Sequence, residues 1–129
     1  MFKSDTTTDG VRVHVESRYD PSRSQPDQER WFFLYTVTIT NEGGARVQLL
    51  NRHWVITDGN GLVQEVRGEG VVGEQPELEP GESFEYTSGC PLGTEIGTMQ
   101  GSYEMLDGDG RRFPVKIAEF TLSEPYIVN

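Results

Sequence analysis

The sequence predicts an all-β domain, built as a two-sheet antiparallel sandwich of seven or eight strands. Three observations predict it. Alanine occurs only at Ala45 and Ala118, while Val, Thr and Ile are frequent and glycine occurs 15 times, a composition that suits pleated surfaces and tight turns. No stretch sustains apolar residues at i, i+3, i+4 and i+7, so helices are few. Glycine-rich turn signals recur between runs of alternating polarity at the spacing of a sandwich.

The elements follow in order. Val11, Val13 and Val15 alternate with Arg12, His14 and Glu16, which marks a half-buried strand with His14 on its solvated face. Asp20 to Asp27 holds two prolines without periodicity and reads as a loop. Arg30 to Asn41 is the next strand, with Phe33, Tyr35, Val37 and Ile39 inward, and Asn41-Glu42-Gly43-Gly44 turns the chain. Arg46 to Asp58 is a third strand whose phase slips. Val47 and Leu49 share one parity and Trp54 and Ile56 the other, as a β-bulge produces, and Trp54 anchors the space between the sheets. Asp58-Gly59-Asn60-Gly61 is a hairpin turn into Leu62–Arg67, and Pro80-Gly81 a turn into Ser83–Ser88. Thr98 to Leu106 places Met99, Gly101, Tyr103 and Met105 on one face. Asp107 to Gly110 closes a hairpin into Arg112–Leu122, where Pro114 implies an edge position. An immunoglobulin-like or fibronectin type III-like sandwich accommodates this order. Parallel α/β folds need helical crossovers that the chain has no room for.

At 129 residues the chain is one domain, 1–129, with a core over about 11–122 and residues 1–10 as an N-terminal tail. Its 11 Lys and Arg against 21 Asp and Glu give a net charge of −10, which disfavours nucleic-acid and anionic-membrane partners. Without an apolar leader the expected compartment is the cytoplasm. Cys90 is the sole cysteine, so no intrachain disulfide or cysteine-based zinc site forms. It could act as a nucleophile with His14 or His53, but the reading adopted is a buried structural thiol.

Gly68-Glu69-Gly70-Val71-Val72-Gly73 matches the G-x-G-x-x-G pattern that binds pyrophosphate at a helix N-terminus. A strand precedes it. The following helix is missing, because Glu74 to Gly81 holds two prolines and a glycine. No Lys or Arg lies between Arg67 and Arg111, while six glutamates crowd the loop and its exit. The cationic candidates for an anion are Arg46, Arg52, Arg67, Arg111 and Arg112, and no acidic spacing dictates a metal site. The glycines read as backbone devices joining two strands.

With Asn51-Arg52-His53-Trp54-Val55-Ile56-Thr57-Asp58, Gly68 to Pro76, Leu78-Glu79-Pro80-Gly81-Glu82, Phe84-Glu85-Tyr86-Thr87-Ser88 and Gly97 to Tyr103 in view, the chain resembles the ApaG family, domain of unknown function 525, from about Val11 to Leu122. The resemblance implies a fibronectin-type sandwich and no established enzymatic activity, and no cofactor is expected. It also implies an association with cobalt and magnesium efflux and a protein-interaction role. The family's glycine motif, with its suggested pyrophosphate binding, falls on Gly68, Gly70 and Gly73.

Two functions remain in view. The first is a non-catalytic module for an unidentified protein partner, with homodimerisation through an edge strand as a variant. Its contact residues are Phe32 and Leu34, out of phase with the inward set of their strand, and His53, which alternation points away from Trp54. Phe32 and Leu34 could equally be covered within the fold, and His53 could be a solvated or hydrogen-bonded side chain. The second is a small-ligand protein taking phosphate, pyrophosphate or a divalent cation at Gly68, Gly70, Gly73 and Arg67. No nucleophile, base and orienting group assemble into a catalytic set.

Overall fold

The computed structural model describes residues 1–125 and contains nine strands. They are β1 (Phe2–Thr8), β2 (Val11–Tyr19), β3 (Trp31–Asn41), β4 (Val47–Asp58), β5 (Val63–Glu69), β6 (Glu77–Leu78), β7 (Ser83–Leu92), β8 (Ile96–Asp107) and β9 (Arg112–Ser123). The predicted loop after β2 holds two short 3-10 turns, Pro21–Arg23 and Pro26–Gln28. One sheet runs β1-β2-β3-β7. The other runs β5-β4-β8-β9, with β6 also on β4, and all pairings are antiparallel.

Two strands exceed the seven that the alternation marks out, and one corrects the expected tail. Residues 2–8 are not a free tail but form β1, paired along its length with β2. The inward positions of β1 are polar (Ser4, Thr6, Thr8), so it carries no apolar alternation. Backbone pairing and the Asp5–Arg12 ion pair hold it in place. The second addition, β6, is a two-residue ladder on Val47 and Gln48. Pro114 lies on β9, which is an edge strand as expected.

β1 also lies against β9, where the Lys116 N–H donates to Thr8 Oγ1 at 3.2 Å. That contact closes one side of the sandwich. The opposite side, between edge strands β5 and β7, stays open. Between the sheets Trp54 is buried, with edge contacts to Tyr35, Tyr103 and Phe120 at ring separations of 5.2, 6.4 and 5.9 Å. The buried Tyr86 and Tyr103 hydroxyls bond each other at 2.5 Å, which satisfies both polar tips inside apolar surroundings. Buried Asn41 shapes the crossing between sheets, donating from Nδ2 to the Ala45 and Leu78 carbonyls.

The phase slip in the third predicted strand is a register shift between Leu49 and Asn51. Leu50 is the extra residue, and beyond it even-numbered positions face the core. Trp54 and Ile56 therefore point inward, and so does Arg52.

Candidate binding site

Edge strand β5 is the first component. The register pairs Ile56 with Gln64, Trp54 with Val66 and Arg52 with Gly68. The Asp58 N–H bonds the Leu62 carbonyl, and the Gly70 N–H bonds the Leu50 carbonyl. Antiparallel ladders alternate between bonded and non-bonded pairs. Gln64, Val66 and Gly68 therefore bond toward β4, while Val63, Glu65 and Arg67 direct their backbone N–H and C=O groups away from the sheet. Leu62 and Val63, at the start of this edge, are 70% and 62% exposed.

The second component is the glycine segment. No helix follows Gly73. Val71 and Glu74 exchange both backbone hydrogen bonds, at 2.8 and 2.9 Å, across a two-residue turn with φ of 44° at Val72 and 81° at Gly73. The dihedral signs are those of a type I′ hairpin. The amides of Gly70, Val71 and Glu74 are thus used inside the protein. The carbonyls of Glu69 and Gly70 instead receive the Arg52 guanidinium, at 3.0 and 2.9 Å from Nη1. The segment presents backbone oxygens to a cation, the reverse polarity of a phosphate cradle.

The third component is the opening between β5 and β7. It is a cleft of about 240 Å³, lined by Tyr35, Arg52, Trp54, Val66, Ser88 and Cys90 among others. It runs on into a hollow bounded by Ile56, Leu62, Val63, Pro91 and Leu92. Burial pushes the Cys90 thiol up to about 11 and raises the Tyr35 hydroxyl above its ordinary value. A thiol so protonated at neutral pH is no nucleophile, and neither His14 nor His53 bonds it.

The residues singled out from the sequence fall into two groups. His53 and Arg67 are cross-strand partners on the outer face of the β5-β4-β8-β9 sheet, beside Gly68, and both hold Glu65: His53 Nε2 at 2.7 Å and Arg67 Nη2 at 3.4 Å. The His53 hydrogen bond draws the Glu65 carboxyl below its ordinary value. Phe32 and Leu34 lie half-buried on the outer face of the other sheet. There the Phe32 ring covers Gly89, where an added Cβ would fall 2.2 Å from it, and Arg23 stacks over the ring at 5.7 Å. The two groups do not form one site. His14 sits on the solvated face between Asp5 and Glu16, at 3.3 and 3.0 Å.

From the sequence Arg52 is only one cation among five, and its inward position is not expected. The signal was present, because Arg52 shares the parity of Trp54 and Ile56 once the bulge is placed. The five arginines do not converge. Arg46, Arg67, Arg111 and Arg112 pair with Glu77, Glu65, Asp107 and Glu104. Among the described residues no carboxylate lies within 4 Å of the Arg52 guanidinium.

Fold and site define a β-sandwich domain with one closed side, one open seam and an unpaired edge strand. The chain belongs to the ApaG family: residues 21–107 match the ApaG domain, domain of unknown function 525. It is 54% identical over 127 residues to Protein ApaG of Methylobacterium sp. strain 4-46, covering 98% of this chain and 96% of that one. The Bordetella pertussis Protein ApaG is 58% identical over 115 residues, or 89% and 88% of the two chains. A crystal structure described as an ApaA protein of Bordetella pertussis superposes with a TM-score of 0.87 at 54% identity, covering 97% of this chain and 98% of that one. The C-terminal domain of wzt shares the fold at a TM-score of 0.52 and 12% identity, over 94% of this chain and 77% of that one. Among the described residues no helix is long and apolar enough to cross a membrane.

Proposed function

We propose that this chain is a non-catalytic binding module that captures a protein partner by adding an extended segment of it to β5. The observation that carries the reading is the outward row of backbone groups on Val63, Glu65 and Arg67, with the exposed Leu62 and Val63 side chains at its start. An unpaired strand edge is a template for strand addition, with main-chain hydrogen bonds giving affinity and side-chain contacts giving selectivity. A second copy of the chain can use the same edge, which makes a homodimer the self-recognising form of this chemistry. On this reading, any association with cobalt or magnesium efflux acts through the captured partner.

Proline at an outward position of β5 removes one N–H from the free edge without breaking the ladder to β4. The test is affinity capture of the tagged chain from its native cytoplasm, followed by mass spectrometry, with wild type, Arg67→Pro and Val63→Lys side by side. Wild type retains a stoichiometric protein, and both variants lose it while melting within a few degrees of wild type. Equal capture by folded Arg67→Pro and wild type refutes strand addition. Phe32→Lys and Leu34→Lys, run in parallel, report whether the same partner also reads the outer face of the other sheet.

A further inference from the structure

Arg52 is a half-buried charge with no carboxylate of the described residues beside it. Its side chain enters the open seam from the inner face of β4, beside Trp54 and opposite Ser88 to Pro91 of β7. Ionised groups drawn partly out of water are commonly met by an opposite charge or by hydrogen bonds. Arg52 Nη1 has its two carbonyl partners. The guanidinium carries five N–H groups, and no carboxylate of the described residues supplies the counter-charge. The other four candidate arginines, Arg46, Arg67, Arg111 and Arg112, have one each.

The rest of the cleft is what a small ring requires. Half-buried Val66 and the exposed edges of the otherwise buried Trp54 and Tyr35 give it an apolar wall, with Met99 and Cys90 beneath, and the Tyr35 and Ser88 hydroxyls are polar groups in the same space. Ligand sites are typically apolar clefts with a few convergent polar groups, and those for drug-sized molecules run from about 300 to 1,000 Å³. At about 240 Å³ this one accepts less, on the order of a single ring with a short acidic arm. Fork-shaped pairing with a planar carboxylate is the interaction a guanidinium makes best.

We infer that the β5–β7 seam is a binding site for a small aromatic carboxylate, its ring against Trp54 and its carboxylate on the Arg52 guanidinium. The site is separate from the outward edge of β5, and either reading can fail without the other.

The experiment titrates the uniformly 15N-labelled full chain with three probes: 3-phenylpropionate, its neutral amide 3-phenylpropionamide, and acetate. A parallel readout is Trp54 fluorescence in a Trp31→Phe background. A ligand of this size binds at roughly millimolar strength. The acid is expected to shift the amide signals of Tyr35, Ser88, Gly89 and Cys90 and to change Trp54 emission. The amide should bind at least tenfold more weakly, and acetate should leave these signals in place. Arg52→Gln should remove the preference for acid over amide. Comparing acid with amide on wild type decides the question even if that variant folds poorly. Equal binding of acid and amide overturns the proposal. So does a response confined to the outer face around His53 and Arg67, or no response at about ten times the expected constant.

Discussion

Val72 offers a test in which structure and energetics can be set side by side. It is β-branched, 54% exposed, and held at φ 44° as the first central residue of the Val71–Glu74 hairpin. The left-handed region costs an ordinary L-residue about 1–2 kcal/mol, and β-branched side chains are among the worst suited to it. Asn followed by Gly is the preferred pair for such a turn, and Gly73 is already present at φ 81°. Val72→Asn relieves most of the strain. Against that stands the loss of a half-covered valine, which offsets up to about 0.7 kcal/mol if full burial is worth about 1.5. The net expectation is a gain of about 0.5–1 kcal/mol.

For 129 residues the unfolding entropy near 60 °C is about 0.27 kcal/mol/K, so the gain raises Tm by about 2–4 °C. Differential scanning calorimetry resolves this. The chain contains its own control, because Asp9-Gly10 makes the β1–β2 turn with φ of 48° and 80°. Asp9→Val places the strained residue in the matching position and should lower Tm by a similar amount. A Val72→Asn protein that melts at or below wild type, together with a neutral Asp9→Val, refutes the account of this hairpin as strained.

Two further predictions follow from side-chain environments. The Arg12 guanidinium, bonded to Asp5 at 2.9 and 2.5 Å, and then His14 hold the Asp5 carboxyl down to about 2 from an ordinary 3.8. A lowered carboxyl stabilises the fold above its ordinary value, and that contribution is lost as pH falls from about 3.8 through about 2. Arg12→Gln should therefore move the Asp5 midpoint in a 13C titration back toward 3.8, and an unmoved midpoint would show that β1 is not held by this pair. Cys90, raised to about 11 by burial, should resist a thiol-reactive dye in the native protein at pH 8 and react with one equivalent in denaturant. Fast native labelling would place the thiol outside the core.

The strands that bury apolar side chains on one face were legible because their alternation is a direct record of that burial. Val11, Val13, Val15, Phe33, Tyr35, Val37 and Ile39 are buried as the pattern requires. The bulge was legible too, since an extra residue must shift parity and Trp54 cannot share a face with Leu49 without one. β1 left no such record. It is held by backbone pairing with β2 and by Asp5, with Ser4, Thr6 and Thr8 facing inward, so its strand character is a tertiary property. The seam was hidden for a related reason: it depends on β1 meeting β9 and thereby leaving β5 and β7 apart. Which edges close and which stay open is a matter of sheet order, and sheet order is not written in local periodicity.

The glycine pattern shows how one spacing can answer two opposite physical demands. In a phosphate cradle, glycines let an anion approach a row of amides. Here Gly68 lies under the Arg52 guanidinium, where an added Cβ would come 2.6 Å from its central carbon. Gly70 sits at φ 65° with the Glu74 carbonyl oxygen 2.4 Å from the position a Cβ would take. Only Gly73 faces open space, and its requirement is conformational, at φ 81°. Each glycine thus answers a demand internal to the hairpin and its arginine. An alanine at position 70 would break the hairpin before it could report on any ligand. The chemistry of the segment resides in Arg52, which the glycines allow to lie flat against β5 while its side chain lines the seam.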